Sequence, residues 1–195
     1  MIDNKLYIDF ASLASSSKTL SSVNVEIFSL MYENSSSVVK AKYLENYVIP
    51  AITKKNNELV RYLLKEDAPC ENALIEAVNT RSLEMVDIVL QHKNKPYFVN
   101  KNSINGTALS IATRNNDIEI VKLLLSVPGI NASIYNKNLA TPLQTSVYNY
   151  NTEIANLILD FYEDDGTNHS WEMHEIIKKL LDIVDKYING RPTVN

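Results

Sequence analysis

Cysteine is almost missing from this chain: Cys70 stands alone, so no internal disulfide can form and no cysteine cluster is available to hold a metal. A basic excess is missing too, since 19 lysines and arginines face 23 aspartates and glutamates for a formal net charge of -4. Without a global positive field nothing holds a phosphate backbone, and nucleic acid is not an expected partner. No apolar run approaches the ~20 residues that cross a bilayer, and the N-terminus lacks the basic-then-apolar order of a secretory leader. The expectation is an intracellular, cytoplasmic protein from a reducing compartment, with no membrane insertion. Glycine and proline are scarce as well, at four and six in 195 residues, too few for a sheet protein with many tight turns. Helix is expected instead.

What the chain does have is repetition. A capping residue, any residue, a glutamate and a run of large apolar side chains recur five times, with the glutamates at Glu26, Glu58, Glu84, Glu119 and Glu153. Asn24, Asn56, Ser82, Asp117 and Asn151 precede them, each able to accept hydrogen bonds from the first turn of a helix. The glutamate two residues later meets the positive end of the helix dipole. Behind it the apolar residues are nearly continuous, as in Ile120, Val121, Leu123, Leu124 and Leu125, which predicts helices buried on more than one side. Upstream of the last four copies a shorter helical signal ends in a small residue, Ala51, Ala77, Ala112 or Ser146, always seven positions before the glutamate. Small side chains there let two helices approach closely. Each unit therefore reads as two antiparallel helices joined by a tight turn, and such pairs must stack to bury their faces.

A period of 34 between Glu119 and Glu153, the helix starts Thr107-Ala108-Leu109 and Thr141-Pro142-Leu143, and the second-helix run Glu119 to Leu125 give the chain its resemblance to the ankyrin repeat family. The clearest repeats are Asn102 to Ile134 and Tyr135 to Tyr162. The resemblance implies an all-α ankyrin repeat solenoid of antiparallel helix pairs with short projecting hairpin loops. In this reading Thr141 caps a first helix, Pro142 occupies its first turn at no hydrogen-bonding cost, and Ser126 to Asn131 turns toward the next hairpin. The family's histidine is replaced by Ser110 and Gln144, so its cross-repeat hydrogen bonds must be made otherwise or lost. The glycine usual in the helix-to-helix turn is replaced by Lys55, Arg81, Asn116 and Tyr150, of which only asparagine readily adopts a left-handed conformation.

The resemblance covers residues 41–162. Residues 1–40 read as a degenerate repeat or a helical extension, with helical signals at Leu6 to Ala14 and Asn24 to Tyr32 around the serine-rich Ser15 to Ser22. Residues 163–195 read as an acidic turn and a capping helix, started by Ser170, carrying Ile176, Ile177, Leu180, Leu181, Val184 and Ile188 on one side, and stopped at Asn189-Gly190.

Chemistry is poorly supported. With Gly166 at position six of a calcium loop, Glu163, Asp165 and Glu172 fall at three, five and twelve, but position one is Phe161 and the first ligand is lost. His169 and His174 lie five apart, on different faces of a helix, and no third zinc ligand recurs nearby. Cys70 has Glu71 beside it and nothing to lower its pKa. No phosphate-binding or dinucleotide-binding glycine pattern occurs. No catalytic, cofactor or metal residues are expected.

The resemblance instead implies binding of a protein or peptide on a concave face of hairpin tips and first helices. Carried over by position, the contact residues are Asn79 and Thr80, then Ser103, Ile104, Arg114 and Asn115, then Lys137, Asn138, Tyr148 and Asn149. Tyr148 and Arg114 lead, because tyrosine and arginine dominate binding hot spots. A monomer is favoured, with self-association through the chain ends as the alternative.

Overall fold

The computed structural model describes residues 24–68, 72–91, 98–138, 140–164, 177–179 and 181, and among these there are helices, turns and one isolated β-bridge but no strand. The N-terminal signal at Leu6 to Ala14, the serine-rich segment, Cys70, Asp165 to Glu172, His169, His174 and all but four residues of the expected last helix lie outside the described residues. The chain divides into two compact units, Met1–Phe98 and Val99–Asn195.

In the first unit α1 (Val25–Glu33) packs on α2 (Ser37–Thr53) and α3 (Asn57–Lys65), followed by α4 (Ala73–Asn79) and α5 (Leu83–Leu90). The pairs are α2 with α3 and α4 with α5, stacked first helix on first helix and second on second. The N-caps are the expected ones. The Asn24 side chain accepts from Glu26 and Ile27, Asn56 from Leu59 and Ser82 from Met85. The second helix, α2, is longer than the signal at Val48 to Ala51 and begins at Ser37. Nothing between Ser37 and Ile49 breaks a helix, and Pro50 sits in the final turns, where one missing N–H is tolerated.

Aromatic rings fill the start of this unit. Phe28, 1% exposed, lies 5.6 Å from Tyr43, 5.4 Å from Tyr47 and 5.9 Å from Tyr62, all near-perpendicular, and 6.4 Å from Tyr32. Edge-to-face rings at these separations add to the area they bury. Burial, then Glu66, Glu33 and Tyr32, push the Tyr62 hydroxyl up to about 12.

In the second unit α6 (Ala108–Arg114) pairs with α7 (Ile118–Leu125), and α8 (Pro142–Tyr148) with α9 (Thr152–Asp164). Again α8 stacks on α6 and α9 on α7. Thr107 caps α6 through the Ser110 N–H. Thr141 and Gln144 form a reciprocal capping box on α8, with Pro142 in its first turn. Leu109, Ile111, Leu124, Ile154 and Ile158 form an aliphatic core. Past α9, residues 177–179 and 181 are helical. There Lys178 donates to Asp160 at 3.2 Å and Glu163 at 2.8 Å, and Leu181 is buried.

One turn joins the helices of every pair. Lys55, Arg81, Asn116 and Tyr150 all have φ between 55° and 59°, in the left-handed region, immediately before the N-cap of the next helix. Their N–H groups donate back to Ile52, Val78, Thr113 and Val147. Asn56, Asp117 and Asn151 donate to the carbonyls of the small residues Ala51, Ala112 and Ser146 at 2.9–3.0 Å. This is the helix-stop geometry that glycine favours. Here three of the four positions bear side chains poorly suited to it. The small residues are buried at 0% exposure in all four pairs, as the close approach of the helices requires.

Candidate interaction surface

Two loops project from the second unit, and their shapes follow from single residues. Ser103 and Gly106 exchange backbone hydrogen bonds at 3.2 and 3.0 Å, closing a turn with Ile104 and Asn105 at its tip. Gly106 has φ 104°, and a Cβ there would meet the Cβ atoms of Ser110 at 3.0 Å and Asn136 at 3.1 Å. Both conformation and space demand glycine. In the second loop Asn136 closes the turn, its N–H reaching the Ala140 carbonyl at 2.9 Å while its side-chain oxygen accepts from Asn138 and Ala140. Lys137 and Asn138 are left at the tip, both exposed.

The ends of the first helices connect to these tips. The Arg114 guanidinium donates to the Asn105 carbonyl at 3.3 Å, tying the end of α6 to its own loop. The Asn149 side chain, at the end of α8, donates to the Arg114 carbonyl at 3.4 Å. These two bonds link Asn105, Arg114 and Asn149, and Ile104 and Tyr148 are their neighbours in sequence. Ile104 and Tyr148 are each 84% exposed, the largest exposures among the bulky apolar side chains described. Asn115 caps the C-terminus of α6. Ser103 turns its hydroxyl into its own loop, donating to the Gly106 carbonyl at 2.9 Å.

Asn79 and Thr80 belong to the first unit, at the end of α4. The Thr80 hydroxyl donates to the Ala77 carbonyl and accepts from the Ser82 N–H, so it shapes the turn; Asn79 is exposed and reaches Glu76.

The family's histidine has local substitutes. The Ser110 hydroxyl lies 3.0 Å from that of Thr107, and Gln144 completes the capping box. Bonds between repeats come from asparagine. Asn100 donates to the Gly129 carbonyl and accepts from the Asn131 N–H, both at 2.7 Å, Asn102 reaches the Tyr135 carbonyl, and Asn151 reaches Asn116. Tyr162 adds a buried bond to the Ala132 carbonyl at 2.9 Å. Sequence reasoning passed over Asn100, Asn105 and Gly106. A signal was present in Asn102 and Asn136, which are 34 residues apart and open equivalent loops.

No cluster of three or more metal-ligating side chains occurs among the described residues. Glu163, weighed as a calcium ligand, pairs with Lys178. No helix among them is long and apolar enough to cross a membrane.

The pattern of ankyrin repeats, in three copies, matches residues 48–136 and 74–170. The chain belongs to the ankyrin repeat family. Its architecture of ankyrin helix pairs agrees with that membership, and ankyrin repeats are in general protein-protein interaction modules and typically non-catalytic. Among solved structures, the ankyrin repeat domain of Bcl-3, described as a unique member of the IkappaB protein family, is 24% identical with a TM-score of 0.46. That match covers 57% of this chain and 50% of that one, so the chain spans half the length of the domain it resembles. Comparison with curated protein sequences gives no match.

Proposed function

We propose that this ankyrin repeat protein is a non-catalytic adaptor or scaffold that binds a protein partner on the loop tips and first-helix ends of its second unit. The observation that carries the reading is the pair of highly exposed apolar side chains, Ile104 and Tyr148, each next in sequence to a residue, Asn105 or Asn149, that bonds to Arg114. Exposed bulky apolar groups beside a pre-positioned guanidinium are the composition of a binding hot spot. Ser103, Asn115, Lys137, Asn138 and Asn149 form the polar surround, and Asn79 and Thr80 occupy the equivalent place in the first unit.

Tyr148→Ala combined with Arg114→Ala tests this by affinity capture from the native cell extract. The expected result is loss of one retained protein with the melting temperature unchanged; capture of the same set by the variant removes this surface from consideration. A self-associating protein is the second reading, favoured by Ile27 and Leu30, more than half exposed on α1. Light scattering that reports a monomer at every concentration eliminates it.

A further inference from the structure

Charges in the second unit are sorted between its elements. Residues 99–116 and 130–151, which supply the loops, α6 and α8, contain Lys101, Arg114 and Lys137 and no aspartate or glutamate, in a chain whose acids outnumber its bases. Among the described residues of this unit the carboxylates lie on α7, on its N-cap Asp117 and on α9, and several of them pair with cations. Lys122 pairs with Glu119 at 3.0 Å and Glu153 at 3.2 Å, and Lys178 with Asp160 and Glu163. On the loop side, neither Arg114 nor Lys137 pairs with a carboxylate among the described residues.

We infer that the partner segment is an extended acidic peptide bearing aliphatic or aromatic side chains between its carboxylates, an inference that rests on the interaction reading above. The Asn105 carbonyl takes one N–H of Arg114, and a guanidinium has five in a planar fork. Anchoring one edge fixes the side chain while donors remain for a carboxylate, which that fork grips in bidentate fashion. Ile104 and Tyr148 adjoin the residues that hold the arginine, so apolar contacts are available beside the ion pair. Lys137 extends the positive charge to the next loop, drawn to the first by the Asn102 to Tyr135 bond at 3.2 Å. Complementary charge of this kind sets partner choice and speeds encounter. A longer polyanion such as single-stranded nucleic acid would meet the same Arg114 and Lys137 but also the acidic α7 and α9.

The experiment uses the full chain to select ligands from a displayed library of random peptides, with Tyr148→Ala as counter-selection. Fluorescence anisotropy then measures the enriched peptides against wild type, Arg114→Glu with Lys137→Glu, and the milder Arg114→Gln with Lys137→Gln. The inference expects acidic peptides carrying Leu, Ile, Phe or Tyr, bound roughly tenfold or more weakly by the reversed pair, with a smaller loss for the glutamine pair. Binding also weakens as salt rises. Circular dichroism and melting confirm that each variant is folded, and Lys137→Glu alone, at an exposed loop tip, repeats the test should the pair unfold. Peptides that need Tyr148 but are neutral or basic, or that bind the reversed pair equally well, overturn the acidic inference and leave the interaction surface standing. Failure to enrich any Tyr148-dependent peptide overturns both. A single-stranded oligonucleotide that outcompetes the peptides and is itself lost on charge reversal overturns the inference in favour of nucleic acid.

Discussion

The two units build the same helix pair with different materials. In the first, Phe28 packs edge to face on Tyr43, Tyr47 and Tyr62 at 5.4–5.9 Å and stacks on Tyr32 at 6.4 Å, so three helices share one ring cluster and cohesion comes from ring area. In the second the core is aliphatic, and asparagine side chains bridge one repeat to the next at loop after loop. Rings tolerate irregular spacing because they bury area in any direction, which suits a region whose repeated glutamates are 32 and 26 residues apart. Side-chain-to-backbone bonds between repeats need regular spacing, and the second unit has it, at 34.

That contrast is broken most severely at Phe28. Phe28→Ala deletes the ring that touches the other four and is expected to cost ~3–5 kcal/mol. Amide exchange in α1, α2 and α3 should accelerate accordingly; protection unchanged there would show that the rings fill space without stabilising it. At Asn100 the expected loss is smaller. Asn100→Ala removes two bonds of 2.7 Å that hold the 129–131 turn, at a cost of ~1–2 kcal/mol since their partners can turn to water. Exchange at the Asn131 amide reads this directly, and an unchanged rate would refute the asparagine bridges as cohesive elements.

The periodic features were the readable ones. All five glutamate-marked helices follow their expected N-cap residues; at Asn24, Asn56, Ser82 and Asn151 the side chain accepts from the first turn, a local matter of one side chain and the next three N–H groups, whereas the Asp117 side chain makes no such bond. The small residues were equally plain, since helix approach constrains size at a fixed distance from the turn. The extent of α2 was not. Its sequence has no apolar period sharper than its neighbours', and only the absence of a break after Ser36 announced a helix to Thr53. Of the candidate surface, Ile104, Arg114 and Tyr148 came from repeat position alone. Their linkage came from the Asn105 carbonyl and the Asn149 amide, contacts between residues 9 and 35 apart that no local pattern encodes.

The left-handed turn is the feature the two units share, and it gives the finest test of the comparison. Lys55 in the first unit and Tyr150 in the second hold φ 56° without the tolerance of glycine or asparagine, a conformation costing a side-chain-bearing residue ~1–2 kcal/mol. Lys55→Gly and Tyr150→Gly relieve that strain, and after the extra entropy of an unfolded glycine each is expected to gain ~0.5–1 kcal/mol. Both side chains are exposed, so little packing is lost. Asn116→Gly should gain nothing, because asparagine already accepts the left-handed region and its side-chain oxygen accepts from Asn151 at 3.3 Å. Equal gains at Lys55 and Tyr150 in urea unfolding would show that the turn is energetically the same device in both units. A gain at one alone would mean that rings and asparagine bridges load the turn differently, and the units would then differ even in the part of the repeat they hold in common.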